Sequence, residues 1–359
     1  MSPPDLQTSL SYCTYCPKLC RHTCPVSNAS ANESLTPRDK MATMRSLQLG
    51  ELPATIEQTT PLYGCSGCGA CTDACQHKVE PGIALMQGRA EAERDGRGHP
   101  ALRQLLPRMQ AKSVAAAAKT RELVPAHKRP TEAQVAFFPG CEKPELATTM
   151  LQLCDRIGAD YVGVTAGEHG CGGYPLFAGG LHDAFRLHAE RMAKQLEGYA
   201  RVVVHCPACA WAMKTQYRAF GVPLKPRVEH SSEFLESFVE RLPVKQRREP
   251  TFYHDPCHLG RWMGVYEPPR RLLRKTMDDV REFSRSRHES ECSGGGGLLP
   301  ATMPETADAI AQARLTEVKQ AGASTVVSSC PTCTRRLNRD GVQALDLIEV
   351  LAQAVTESP

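Results

Sequence analysis

Two short runs of cysteine near the N-terminus constrain this chain more than any other feature. They are Cys13-x2-Cys16-x3-Cys20-x3-Cys24-Pro25 and Cys65-x2-Cys68-x2-Cys71-x3-Cys75. Thiolate is a soft ligand, and loops this short let one stretch of backbone wrap three corners of an iron–sulfur cluster while a fourth thiolate arrives from elsewhere. The second run has bacterial ferredoxin spacing, with Gln76 where that pattern has proline. In paired-cluster proteins the fourth cysteine of each run serves the other cluster. The spacing therefore predicts one [4Fe-4S] cluster on Cys13, Cys16, Cys20 and Cys75, and a second on Cys65, Cys68, Cys71 and Cys24. The Cys16–Cys20 loop holds one residue more than usual, so it must bulge, with Pro17 shaping it.

A disulfide framework fits this cysteine content badly, because 17 is an odd number and 359 residues with 41% hydrophobic content can bury ordinary cores without staples. That length suggests two or three domains. The net charge is only +4 and its Lys and Arg residues are scattered, which argues against nucleic acid as a partner. No apolar run approaches the ~20 residues of a membrane-spanning helix. Met1 to Leu10 lacks the basic and long apolar parts of a signal peptide. The expectation is a cytoplasmic protein, in keeping with reduced thiols, with any contact at the inner membrane peripheral and made through a partner or an amphipathic surface.

From about residue 133 the chain is duplicated. Val202-Val203-Val204-His205-Cys206-Pro207-Ala208-Cys209 answers Val326-Val327-Ser328-Ser329-Cys330-Pro331-Thr332-Cys333. Upstream, Cys141 and Cys257 each follow an aromatic-rich segment, and a glycine-flanked cysteine, Cys171 or Cys292, stands between. Short apolar runs at 135–138, 161–164 and 202–205 alternate with helical stretches near 144–157 and 182–197, the pattern of a small parallel sheet with crossover helices. The carboxyl ends of such strands lie on one edge, where ligand sites form. Cys141, Cys171, Cys206 and Cys209 are thereby expected at one metal site, and Cys257, Cys292, Cys330 and Cys333 at another. Proline after the first cysteine of each Cys-Pro-x-Cys suits the first turn of a helix. A thioredoxin-type redox pair would leave the four upstream cysteines unexplained. Zinc is the alternative at one of these sites, since four thiolates also suit zinc.

Other residues read more plainly. His254, His258, His169 and His205, beside the expected ligands, are read as donors that tune a metal centre without binding it. Asp255 before Pro256 reads as a turn former or strand-end cap. Cys154 is read as a small buried hydrophobe, Gly294 to Gly297 as a flexible cluster-binding loop, and Ala115 to Ala118 as helix packing. Residues 81–132 read as two connecting helices broken at Asp95 to Pro100, and the charged stretch Pro243 to Pro250 as the divider between the repeats.

With these residues in view, the chain resembles the cysteine-rich CCG-domain iron–sulfur proteins. These include the B and D subunits of heterodisulfide reductase and the iron–sulfur subunits of glycolate oxidase, anaerobic glycerol-3-phosphate dehydrogenase and lactate-utilisation enzymes. Tyr253 to Arg261, with Asp255-Pro256-Cys257-His258, is the most specific match after the cysteines. The resemblance implies an α+β protein: an α-helical ferredoxin-like domain with connecting helices over 1–132, then duplicated α/β CCG domains with small parallel sheets over 133–245 and 246–359. The family's Cys-Cys pair is Gly170-Cys171 in one copy and Cys292-Ser293 in the other. Five thiolates per domain hold non-cubane clusters in the heterodisulfide reductases, whereas each copy here offers four, which favours one or two further cubane clusters.

No dinucleotide fingerprint, flavin motif or acid–base pair appears, so no catalytic residue is assigned. The resemblance implies an iron–sulfur electron-transfer subunit that links a flavin-containing dehydrogenase or electron-transfer flavoprotein to a quinone-linked acceptor at the membrane. Two alternatives stand beside it: a heterodisulfide-reductase-like subunit reducing a disulfide or quinone at a CCG cluster, and a zinc-stiffened docking scaffold of a redox complex.

Overall fold

A computed structural model describes residues 4–243 and 249–356, which divide into two compact units. The first gathers the chain up to Leu106 with two excursions from the duplicated half, Pro175–His182 and Arg285–Thr316; the second holds the rest. Most of the stretch read as a divider, Pro243 to Pro250, lies outside the described residues.

The first unit is helical. Its helices α1 (Leu6–Tyr15), α2 (Pro37–Gln48) and α3 (Ile56–Tyr63) begin at Asp5, Thr36 and Thr55, whose side chains accept the backbone N–H of Thr8, Asp39 and Gln58. Such caps contribute about 1 kcal/mol each. Proline opens α2 and also α4 (Pro81–Arg94), where a missing N–H costs nothing. Leu10, Met41, Met44, Leu62, Tyr63 and Leu85 close a core against which Cys13, Cys65 and Cys75 pack. The extra residue between Cys16 and Cys20 is absorbed at Lys18, in the left-handed region at φ 64°.

The second unit begins along helix α5 (Leu105–Leu123) and contains two four-stranded sheets, each parallel throughout. Strands β1 (Ala133–Phe138), β2 (Gly163–Val164), β3 (Tyr199–Val204) and β4 (Arg227–His230) run in the order β2-β1-β3-β4. Strands β5 (Thr251–His254), β6 (Val280–Glu282), β7 (Thr325–Ser328) and β8 (Gln343–Asp346) repeat it as β6-β5-β7-β8. The register pairs Phe138 with Val204 and Val204 with His230, and likewise His254 with Ser328 and Ser328 with Asp346, so the carboxyl ends finish level. Helices α6 (Leu146–Arg156) and α7 (His182–Leu196) fall where periodicity expects them. The fourth strands, β4 and β8, carry too few apolar residues to stand out in the sequence.

The two repeats share one core. Phe137, Met150, Leu153 and Cys154 of the first pack in the same cluster as Tyr253, Leu272, Val327, Leu347 and Leu351 of the second. Cys154 is fully buried there and takes no part in a site. No helix among the described residues is long and apolar enough to cross a membrane.

Candidate metal centres

Each cysteine run of the first unit opens onto a cavity that the other run completes. Cys24 of the first run joins Cys65, Cys68 and Cys71 around one small cavity. Cys75 of the second run joins Cys13, Cys16 and Cys20 around another of about 290 Å³, open to solvent and also touched by Cys71. Cys24 is the N-cap before the helical turn Pro25–Ser30, and Cys75 follows the turn Ala70–Asp73, so each lies at the far end of its own run. The outer tetrad is half-buried at all four cysteines, whereas Cys24 and Cys68 of the inner one are buried.

Crowding of thiols leaves an electrostatic mark. Burial pushes Cys13 up to about 12, helped by charge on Cys20, Cys75 and Cys16, and pushes Cys20 up to about 11, helped by Cys16 and Cys75. Burial and the neighbouring Cys65 and Cys68 drive Cys71 well up too. Clustered thiols resist ionising together unless a cation lies among them, so the donor set suits a thiolate-bound metal centre.

Lys40 and Arg89, both buried, hold the inner loop. Lys40 lines its cavity and donates from Nζ to the Gly64 carbonyl at 2.5 Å. Arg89 donates to the carbonyls of Leu62, Cys65, Ala178 and Gly297 at 2.6–3.0 Å. Sequence reasoning missed both, although Arg89 sits four residues after Leu85 on the apolar face of α4, a position that flags a buried charge. The glycine run read as a flexible loop is instead tightly packed. A Cβ on Gly297, at φ 59°, would stand 2.1 Å from the Cys65 carbonyl oxygen. The excursion that carries Cys292 is thus seated on the backbone of the inner cysteine loop.

In the second unit, the sheet's carboxyl edge gathers Cys141, Cys171, Cys206 and Cys209. Their thiols form a chain of hydrogen bonds: Cys141 with Cys171, Cys171 with Cys209, and Cys209 with Cys206. The pairing splits their acidities, lowering Cys171 and Cys206 through the bonds they receive while Cys141 and Cys209 are raised. Cys206 is the N-cap of the short helix α8 (Pro207–Trp211), with Pro207 at its first position. Backbone N–H groups of Gly172 and Gly173 donate to Cys209 and Cys171 Sγ at 3.3 and 3.4 Å. Ser113 of α5 accepts the N–H groups of Gly170 and Cys171, and His188 Nε2 lies 2.7 Å from the Cys171 carbonyl. Both supporting residues lie outside the cysteine pattern, which is why spacing overlooks them. Gly170, which stands in place of the family's extra cysteine, is wedged against α5: a Cβ there would meet Ala116 Cβ and Ala117 N at 3.1 Å and the Ser113 carbonyl at 3.2 Å.

The second repeat places Cys257 beyond β5, and Cys330 and Cys333 at the start of helix α9 (Pro331–Leu337). Cys330 is raised by its hydrogen bond with Cys333 and by burial, with charge on Cys333 and Cys206 adding to the effect. Cys292 belongs to the first unit, where the N–H of Gly294 donates to its sulfur at 3.3 Å. Asp255, read as a turn former or strand-end cap, stands directly after β5. It makes a two-pronged pair with buried Arg270, both contacts at 2.7 Å, and Arg270 also grips Glu282. The pair ties the strand end before Cys257 to helix Glu267–Thr276 and to β6. Among the histidines, His258 Nδ1 lies 3.5 Å from Cys257 Sγ, and His205 bonds to Ser231 and Asp346.

Comparison with known proteins accords with this arrangement. The model of the cysteine-rich CCG domain matches residues 135–214 and again 251–338, and that of a 4Fe-4S dicluster domain matches residues 9–79. The chain is 27% identical, over 96% of its length and 94% of the relative's, to the D subunit of the dihydromethanophenazine:CoB--CoM heterodisulfide reductase of Methanosarcina acetivorans. It is 28% identical over 82% of its length to the B subunit of fumarate reductase (CoM/CoB) from Methanothermobacter marburgensis, of which it spans 62%. It is 25% identical over 61% of its length to the EtfAB:quinone oxidoreductase of Syntrophomonas wolfei, covering 32% of that protein. The chain belongs to the cysteine-rich CCG-domain iron–sulfur oxidoreductases, with a 4Fe-4S dicluster domain ahead of two CCG domains, and is a distant relative of the heterodisulfide reductase D subunit.

Proposed function

We propose that this chain is an electron-relay subunit that accepts electrons from a flavoprotein, an electron-transfer flavoprotein or flavin-bearing dehydrogenase, and passes them to a quinone-linked acceptor. In this reading Cys13, Cys16, Cys20 and Cys75 hold one [4Fe-4S] cluster, Cys24, Cys65, Cys68 and Cys71 a second, and Cys141, Cys171, Cys206 and Cys209 a third. Cys257, Cys292, Cys330 and Cys333 are assigned to a fourth centre on their repeat positions. The clusters would supply one-electron storage; the protein's residues set ligand geometry, burial and local charge.

The observation that carries the relay reading is Gly170. Packed against α5, where a side chain would press on Ala116, Ala117 and Ser113, it leaves the first CCG site with four thiols, a donor set that suits a cubane relay centre. Likeness to an EtfAB:quinone oxidoreductase supports the choice of donor and acceptor. The second reading, a protein that itself reduces a disulfide, draws on the nearly full-length likeness to the heterodisulfide reductase D subunit. Gly170 counts against it. A cytoplasmic location, with membrane contact through a partner, belongs to the same proposal.

Anaerobic purification from the native host, followed by iron, zinc and flavin counts, tests these readings. About twelve to sixteen irons per chain, at about four per cubane cluster, with a flavoprotein copurifying, is expected. About eight irons with zinc would replace the relay with a zinc-stiffened scaffold. Turnover of a heterodisulfide with viologen as donor would favour the reductase.

A further inference from the structure

The two tetrads of the first unit differ in how they are charged. Around the outer one, Lys18 bonds Asp39 at 2.8 Å and Glu33 at 3.3 Å, Arg38 bonds Asp39 at 2.6 Å and Arg21 bonds Glu33 at 2.8 Å, so each of these nearby cations is paired with a carboxylate. Its four cysteines are half-exposed beside the solvent-facing rings of Tyr12 and Tyr15, and water screens what charge remains. The inner tetrad is different. Lys40, 1% exposed, lines its cavity, bonds only a backbone carbonyl, and has no carboxylate partner among the described residues.

We propose that Lys40 is a potential-setting residue of the inner tetrad, holding the cluster on Cys24, Cys65, Cys68 and Cys71 at a higher reduction potential than the one on Cys13, Cys16, Cys20 and Cys75. This inference rests on the dicluster reading above. Reduction adds a negative charge to a site, and a fixed cation in a poorly screened wall favours the more negative form. Lys40 reaches the site from α2 and holds the backbone at Gly64, one residue before Cys65, so its charge cannot swing away to solvent. Arg89, bonded to the Cys65 carbonyl, adds to the same field. The order this creates, outer site low and inner site high, draws electrons from the exposed side of the unit inward.

The test is an EPR-monitored redox titration of the anaerobically purified full-length chain, comparing wild type with Lys40→Met, Lys40→Gln and Lys40→Arg. In the neutral variants the inner cluster is expected to become about tenfold harder to reduce, about 59 mV more negative for one electron. The outer cluster should not move, and Lys40→Arg should restore the wild-type value. If a neutral variant loses the inner cluster, the arginine variant decides: retention of both clusters at wild-type potentials supports the proposal. An arginine variant that behaves like methionine, neutral variants that behave like wild type, or equal shifts in both clusters would each overturn it. A wild-type chain without two [4Fe-4S] signals overturns the dicluster reading instead, so the two failures are distinguishable.

Discussion

His205 Nε2 lies 2.7 Å from Asp346 Oδ2, with both side chains wholly buried, and joins the first repeat to the second across 141 positions of sequence. The other ring nitrogen meets Ser231 Oγ at 2.7 Å, and the other carboxylate oxygen accepts the N–H of Ile348 at the start of helix α10 (Leu347–Thr356). In the repeat alignment Ser329 occupies the place of His205, and His230 that of Asp346, so the symmetric contact is built from different chemistry. Asp346→Ala should destabilise the chain by about 1–3 kcal/mol, because it strands a buried imidazole, with Asp346→Asn costing less. Urea unfolding followed by tryptophan fluorescence measures both.

The crossed assignment of the dicluster is directly testable. Cys75→Ser should cost about four irons and the outer cluster's EPR signal, and Cys24→Ser about four irons and the inner one's. Loss of the same signal from Cys75→Ser and Cys65→Ser would show that each run keeps its own fourth cysteine.

Restoring the family's extra cysteine should not restore a fifth ligand. Gly170→Cys forces a side chain against Ala116, Ala117 and Ser113, and is expected to cost about 1–3 kcal/mol with iron content unchanged. Iron analysis alongside a denaturation midpoint checks this. A gain of iron, or a new non-cubane EPR signature without loss of stability, would contradict the relay reading.

Stability should fall as the pH is lowered. Burial, aided by His205, holds His230 down at about 3, and burial with the Arg261 charge does the same to His258, against an ordinary value of 6.5. Between 6.5 and 3 the unfolded chain binds protons that the folded chain refuses. Unfolding free energy therefore declines over that window by about 1.4 kcal/mol per pH unit for each histidine, and is fully retained above it. His230→Gln should flatten the slope by one histidine's share, as read from urea midpoints between pH 5 and 7.

The parts of this protein legible in sequence are those with local causes. Short cysteine spacings mark the dicluster, since few residues can wrap a cluster corner by corner, and the Cys-Pro-x-Cys repeats expose the duplication because proline and cysteine sit at helix starts whatever the surroundings. Sheets and crossover helices follow from periodicity of two and 3.6. What only the tertiary structure decided are relationships between distant residues. That Asp255 pairs with Arg270, that Lys40 and Arg89 grip the inner loop, that Gly170 packs tightly against α5, and that the glycine run rests on Cys65 all depend on packing between segments far apart in the chain. A buried charge or a missing side chain has no meaning until its neighbours are in place, because its energy lies in desolvation and contact with residues that the local sequence does not name.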